Sequence, residues 1–81
     1  MPVVLRWKGY RFFFFSNEGD PFEPSHVHVR KDRNVAKFWL EPTVRLAEAY
    51  GMKPHELNAL QKVVEKNAEE IKRAWHRYFG D

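Results

Sequence analysis

The chain has 81 residues, 43% of them hydrophobic and 16% aromatic, which is too apolar for a disordered tail and predicts a single domain over residues 1–81. Its sequence has no cysteine, so a disulfide scaffold, a cysteine-based zinc site and a thiol nucleophile are excluded. The formal net charge of +3 permits binding to nucleic acid or to an acidic partner, but it does not by itself predict either.

Residues 3–50 are predicted to form a β-sheet region that begins with a hairpin. Two apolar runs flank the turn Lys8-Gly9, and glycine supplies the positive φ that a two-residue hairpin turn needs. The turn predicts three cross-strand pairs on one apolar face: Trp7 with Tyr10, Leu5 with Phe12, and Val3 with Phe14. The opposite face of this hairpin is then predicted to carry Val4, Arg6, Arg11, Phe13 and Phe15.

A second hairpin is predicted over residues 26–40, with a loop of two or four residues. Either loop places Val29 opposite Ala36 and Val27 opposite Phe38 on the apolar face, and a three-residue loop would mix apolar and charged residues on both faces. The same register pairs His28 with Lys37 and His26 with Trp39 on the other face.

The remaining sheet segments are less regular. Residues 16–25 form a long, acidic, proline-bearing loop, and loops of this length often carry function. In residues 43–50, alternation of Val44, Leu46 and Tyr50 favours a fifth short strand, whereas Leu, Ala and Glu favour a helix. We predict the strand, and Gly51 ends it.

Residues 54–79 are predicted to form one long helix. Pro54 suits the first helical position, and Gly80 suits the position after the last. Between them, apolar residues recur at steps of three and four: Leu57, Leu60, Val64, Ala68, Ile71, Trp75 and Tyr78. The predicted fold is therefore α+β: an antiparallel sheet of four to five strands, built as two hairpins, with one long C-terminal helix packed across its apolar face.

His26 and His28 are the sharpest chemical feature of the sequence. Residues two apart on a strand point to the same side, so the two imidazoles could bind one metal ion or act as acid and base around one bond. Glu23 is a third potential metal ligand. The competing interpretation is that alternation places polar residues on that face in any case, so neither a metal site nor a catalytic pair is assigned, and no cofactor is expected.

The face opposite the apolar one, called the outer face below, combines basic and aromatic side chains: Arg6, Arg11, Phe13, Phe15, His26, His28, Arg30, Lys37 and Trp39. Such a mixture can anchor a protein partner, and it can also neutralise phosphates and stack bases of RNA. An exposed patch with three large aromatics is unusual for a lone monomer. This favours a patch covered by a partner or by a second copy over one that binds RNA.

Several segments taken in order resemble a known family: Gly9-Tyr10-Arg11-Phe12-Phe13-Phe14, Ser16-Asn17-Glu18, Pro24-x-His26-Val27-His28-Val29, Ala36-Lys37-Phe38-Trp39-Leu40 and Trp75-x-x-Tyr78-Phe79-Gly80. They resemble the small prokaryotic domain-of-unknown-function family 4160 along essentially the whole chain. The resemblance implies a cytoplasmic protein that acts with a partner, because such domains are commonly encoded beside a second small domain and are grouped with toxin–antitoxin modules. It implies no reaction and no catalytic residues.

The sequence therefore predicts a cytoplasmic binding protein of a two-protein module, whose partner is a small protein encoded nearby or a second copy. No run approaches the roughly 20 apolar residues of a membrane helix, so no membrane contact is expected. The predicted contact surface is the outer face together with residues 17–28, including Glu23. The alternative is an RNA-binding protein or a small RNA nuclease, in which His26 and His28 are acid and base while arginines stabilise phosphate charge.

Overall fold

The computed structural model describes residues 2–16 and 24–80 of the chain. This part forms five strands and two helices in the order β1 (Val3–Trp7), β2 (Tyr10–Phe13), β3 (His26–Lys31), β4 (Asn34–Trp39), β5 (Arg45–Tyr50), α1 (Pro54–Lys66) and α2 (Ala68–Phe79). The five strands form one antiparallel sheet in sequence order, from β1 at one edge to β5 at the other. The α+β class is thereby confirmed.

The two predicted hairpins are present, but they are parts of a continuous sheet. β2 also pairs with β3, so that Phe12 lies opposite Val29 and Phe13 opposite His28. The second hairpin has the shorter of the two predicted loops, Asp32-Arg33, and all four of its predicted pairs are confirmed. The count of two hairpins was therefore incomplete, because β2 also pairs with β3 and β4 with the predicted fifth strand.

The register of the first hairpin was predicted correctly near its turn and wrongly at its far end. Trp7 pairs with Tyr10 and Leu5 with Phe12 as expected, but a shift between Val3 and Leu5 places Val3 opposite Phe13 rather than Phe14. The irregularity turns Val4 towards the apolar side, where it packs against the core instead of lying on the outer face. An extra residue in one strand reverses the alternation beyond it, which explains the error.

β5 (Arg45–Tyr50) confirms the strand prediction over the last six of residues 43–50. It pairs with β4, with a further irregularity between Lys37 and Phe38, and all six of its residues are exposed. The strand ends at Gly51, whose φ of 82° is in the left-handed region that favours glycine.

The single long helix predicted for residues 54–79 is two helices. Pro54 begins α1 and Gly80 follows α2 with a φ of 72°, as predicted, but the helix is interrupted at Asn67 with φ −110° and ψ 13°. The Asn67 side chain donates from Nδ2 to the Val63 carbonyl oxygen at 2.8 Å. An asparagine amide that bonds the backbone in this way competes with regular helical geometry, and apolar spacing alone does not reveal such a break.

The core lies between the sheet and the helices. Its largest fully buried members include Phe12, Phe14 and Phe38 from the strand segments, with Leu60 and Ile71 from the helices. Trp75 closes one end of the core, with its ring edge-on to Phe14 at 5.3 Å between centroids. Tyr78, predicted to continue the buried stripe, is 43% exposed, and the neighbouring Phe79 packs against the core in its place.

Gly51 and Gly80 provide a matched pair for testing the connection from β5 to α1. Both have positive φ, so alanine at either position costs about 1–2 kcal/mol of backbone strain. A Cβ at Gly51 would also collide with the side-chain oxygen of Asn34, whereas one at Gly80 would meet no described atom within 4 Å. We expect Gly51→Ala to lower the free energy of unfolding in urea more than Gly80→Ala does. Adding Asn34→Ala should recover the difference, and equal losses at the two glycines would contradict this account.

Candidate functional site

Three aromatic rings form a cluster on the outer face where β2 and β3 pair. Phe13 stacks on His28 with ring centroids 5.7 Å apart, and Phe15 meets His28 edge-on at 4.5 Å. Phe13 is only 6% exposed, while Phe15 is 39% exposed. Phe13 therefore supports the cluster from within, and Phe15 and the half-buried His28 present it to the surface.

His26 belongs to the outer face by register, yet its side chain is completely buried. Its ring lies edge-on to Trp39 at 5.6 Å and also contacts Trp75 of α2 at 4.8 Å. Its Nδ1 lies 3.0 Å from the Pro24 carbonyl oxygen, and because that oxygen can only accept, Nδ1 carries the hydrogen. His26 thus connects the outer face to the helix packed on the other side of the sheet.

Trp39 and Lys37 extend the aromatic cluster along β4. The Lys37 ammonium lies over the Trp39 ring at 4.4 Å from its centroid, and both side chains are half-buried. A lysine held over an aromatic ring keeps its charge near the apolar surface, where it can meet an acidic group of a partner. We call Phe15, His28, Lys37 and Trp39 the aromatic patch.

Three arginines form a second group, which we call the arginine row. Arg6 pairs with Arg11 across β1 and β2, and Arg11 pairs with Arg30 across β2 and β3. All three are exposed and line a cavity of about 490 Å³ near the β1–β2 and β3–β4 turns. The Nε of Arg30 donates to the Asp32 carbonyl oxygen at 2.9 Å, which steadies one end of the row.

The ring centroids of His26 and His28 are 5.1 Å apart, but the surroundings of the two rings do not suit the predicted acid–base pair. Of the two, only His28 reaches the surface. Within residues 2–16 and 24–80, no three His, Asp or Glu side chains come together to hold a metal ion. Glu23, the predicted third ligand and contact residue, lies outside the described residues, as does most of the 17–28 segment.

Two polar contacts near these groups were not predicted. Tyr10 donates a short hydrogen bond from its hydroxyl to Oε2 of Glu56 in the first turn of α1. The buried Ser25 hydroxyl donates to Oε2 of Glu41 at 2.6 Å, just before β3 begins at His26. Each contact joins residues far apart in sequence, and no local pattern points to such a pair.

Tyr50 is an exposed aromatic that the sequence analysis did not assign to the contact surface. It is 74% exposed and pairs with Val35, which in turn pairs with Arg30, so these three side chains share the outer face. The sequence indicated part of this position, because residues 43–50 were predicted to form a strand. The face could not be assigned because the irregularity in β4–β5 pairing shifts the alternation.

A family model described as "Domain of unknown function (DUF4160)" matches residues 9–76, which include β2 to β5, α1 and most of α2. The chain belongs to this family. The match takes in the outer-face residues of β2 to β4, including Arg11, His26 and His28, whereas Arg6 precedes it. Comparisons with curated proteins and with solved structures returned no match. In the described part of the chain, no helix has both the length and the apolar character needed to cross a membrane.

The Tyr10–Glu56 contact predicts a contribution to stability that is lost at both ends of the pH range. The hydrogen bond to Glu56, followed by desolvation and the Glu56 charge, raises the pKa of Tyr10 from 10.0 to about 12. The stability gained is complete below pH 10 and is lost as the pH rises towards about 12. The hydrogen bond from Tyr10, followed by that from the Lys53 backbone, lowers the pKa of Glu56, so its contribution is present above its ordinary pKa and is lost as the pH falls through the lowered one.

We therefore expect Tyr10→Phe to be destabilised most near neutral pH and to approach the wild type at both extremes. Urea unfolding at a series of pH values measures this difference. Tyr50→Phe is the matched control, because Tyr50 is largely exposed and its substitution should leave the profile unchanged. A constant difference between Tyr10→Phe and the wild type across pH 3 to 12 would contradict the assignment.

Proposed function

We propose that this protein is the binding component of a two-protein module and that a small protein, encoded nearby, docks on the aromatic patch and on Tyr50. The observation that carries the proposal is the position of the exposed aromatics. Phe15 and Tyr50 are 39% and 74% exposed on the face of the sheet opposite the core. Aromatic side chains with neighbouring cations are the usual anchors of protein interfaces, since they bury large apolar areas at small entropic cost.

The construction of the patch supports a preformed docking surface. Phe13 lies under Phe15 with ring centroids 5.2 Å apart, and His26 lies against Trp39. Because Phe13 and His26 are buried, they fix the rings above them before any partner arrives. A surface that is ordered in advance loses less conformational entropy on binding.

β5 adds a second means of attachment. It is an edge strand of six exposed residues, and the free edge of a strand can pair with a strand of another chain. A partner that pairs with β5 would also cover Tyr50. The resemblance to domains encoded beside a second small domain is consistent with this role, and a toxin–antitoxin module is the specific form that we propose.

The nuclease alternative receives less support from the geometry. An acid–base pair must place both imidazoles within hydrogen-bond reach of the substrate, and His26 is fully buried. His28 remains accessible and can contribute to contact without catalysis. Expression of wild type and His28→Ala in growing cells tests the alternative, since nuclease activity requires RNA decay with the wild type that the substitution abolishes.

Co-expression with the neighbouring gene product and measurement of molar mass by light scattering test the docking proposal. We expect a stable heterocomplex, weakened at least about tenfold by Phe15→Ala or Tyr50→Ala, because truncation of an anchor residue costs about 2 kcal/mol or more of binding energy. Tyr78→Ala is the control, since Tyr78 is 43% exposed on α2, away from the patch. Two separate monomers at micromolar concentration would count against the proposal, and a homodimer sensitive to Tyr50→Ala would replace the partner by a second copy.

A further inference from the structure

We propose that the arginine row is a binding site for a ligand that carries two or three linked phosphate groups. The proposal is independent of the protein partner proposed above. The row lies on β1, β2 and β3, whereas the partner is assigned to the aromatic patch and Tyr50.

The first argument is the concentration of positive charge around one cavity. Arg6, Arg11 and Arg30 line it together with Lys8 and Lys31. Among the lining residues in the described ranges 2–16 and 24–80, Asp32 is the one carboxylate. The two lysines lie over rings of the opposite, core-facing side of the sheet, so the arginines are the cations that face outward. Lys8 lies over Trp7 at 5.1 Å, and Lys31 lies over Tyr10 at 4.9 Å. This excess of positive charge favours a ligand that carries several negative charges.

The second argument is the spacing of the arginines. Neighbouring strands lie about 4.8 Å apart, so the three arginines follow one another at about this interval across some 10 Å. Side chains on one side of an extended peptide recur only about every 7 Å, so an acidic peptide would leave cations between its carboxylates unmatched. Linked phosphates place their charges closer together, and each offers oxygens that accept from the forked guanidinium group.

The third argument is energetic. Arg6, Arg11 and Arg30 are direct cross-strand neighbours, and like charges in that position destabilise a sheet. A polyanion bound over the row would remove this repulsion while it forms charge-assisted hydrogen bonds. Binding should therefore raise the melting temperature of the protein, and neutralising the central arginine should not lower the melting temperature of the free protein.

Thermal melting with defined ligands tests the proposal. Inorganic triphosphate and a nucleoside triphosphate should raise the melting temperature by about 10–20 °C at a hundredfold excess over their dissociation constants. Inorganic monophosphate and oligoglutamate at the same ionic strength should raise it much less. Absence of a shift with either triphosphate, or an equal shift with oligoglutamate, would overturn the proposal.

A short oligoribonucleotide with a 5′-triphosphate distinguishes the two sources of linked phosphates. If it binds as tightly as the nucleoside triphosphate, the site can hold an RNA end, and if it does not, the site holds a free ligand; both results support linked phosphates as the recognised group. The same oligoribonucleotide with a 5′-hydroxyl should bind at least about tenfold more weakly. Equal binding of the two would mean that the phosphodiester backbone is recognised, and it would overturn the proposal.

Substitutions then locate the site. Arg11→Gln should weaken triphosphate binding at least about tenfold while the free protein melts at or above the wild-type temperature. Arg6→Gln, on the edge strand, gives a second test that does not alter the centre of the sheet. Arg45→Gln is the matched control, because Arg45 is an exposed arginine on β5 and its loss changes the net charge equally. Equal weakening by Arg11→Gln and Arg45→Gln would show a general charge effect and refute the site.

Discussion

The packing of both helices on one face of the sheet is the constraint on which the rest of the structure depends. α1 and α2 bury Leu60, Val64, Ile71 and Trp75 against the sheet, and they cover the inner apolar side chains of β2, β3 and β4 almost completely. A strand alternates its side chains between the two faces, so every buried position has neighbours that point the other way. The side chains that the sheet offers to other molecules therefore lie mainly on its outer face and at its edges.

The pairing of β2 with β3 assembles both groups of the outer face. Phe13 opposite His28 forms the centre of the aromatic cluster, and Arg11 opposite Arg30 joins two members of the arginine row. These pairs are two positions apart on each strand, so one register fixes them together. A slip by one residue would place Phe13 and Arg11 on the buried side and would destroy both groups at once.

The sequence was most informative where a short turn or a long periodic segment fixed the geometry. The Asp32-Arg33 loop determined the alternation of β3 and β4, and all four predicted pairs are present. The turn at Gly9 determined the alternation of β1 and β2 as far as Leu5. Beyond Leu5, the irregularity in β1 turns Val4 to the apolar face. Pro54 and Gly80 marked the ends of the helical region, but the side-chain bond of Asn67 that accompanies its interruption depends on local geometry that apolar spacing does not encode.

The outer-face residues could be predicted as a set, whereas their division into two groups could not. That division depends on the pairing of β2 with β3, whose register no short turn motif in the sequence predicts. The Tyr10–Glu56 bond is likewise invisible in sequence, since it needs the first turn of α1 to lie beside the start of β2.

His26 shows why burial has to be known before chemistry is assigned to a motif. Alternation places it beside His28, and the two together suggest metal binding or acid–base catalysis. In the folded protein its ring fills the space between Trp39 and Trp75, so one imidazole of the pair acts as a packing element and the other faces outward. The contact with Trp75 also ties the outer face to α2. A change in the packing of that helix would therefore shift Trp39 and the aromatic patch, even though the helix itself lies on the opposite side of the sheet.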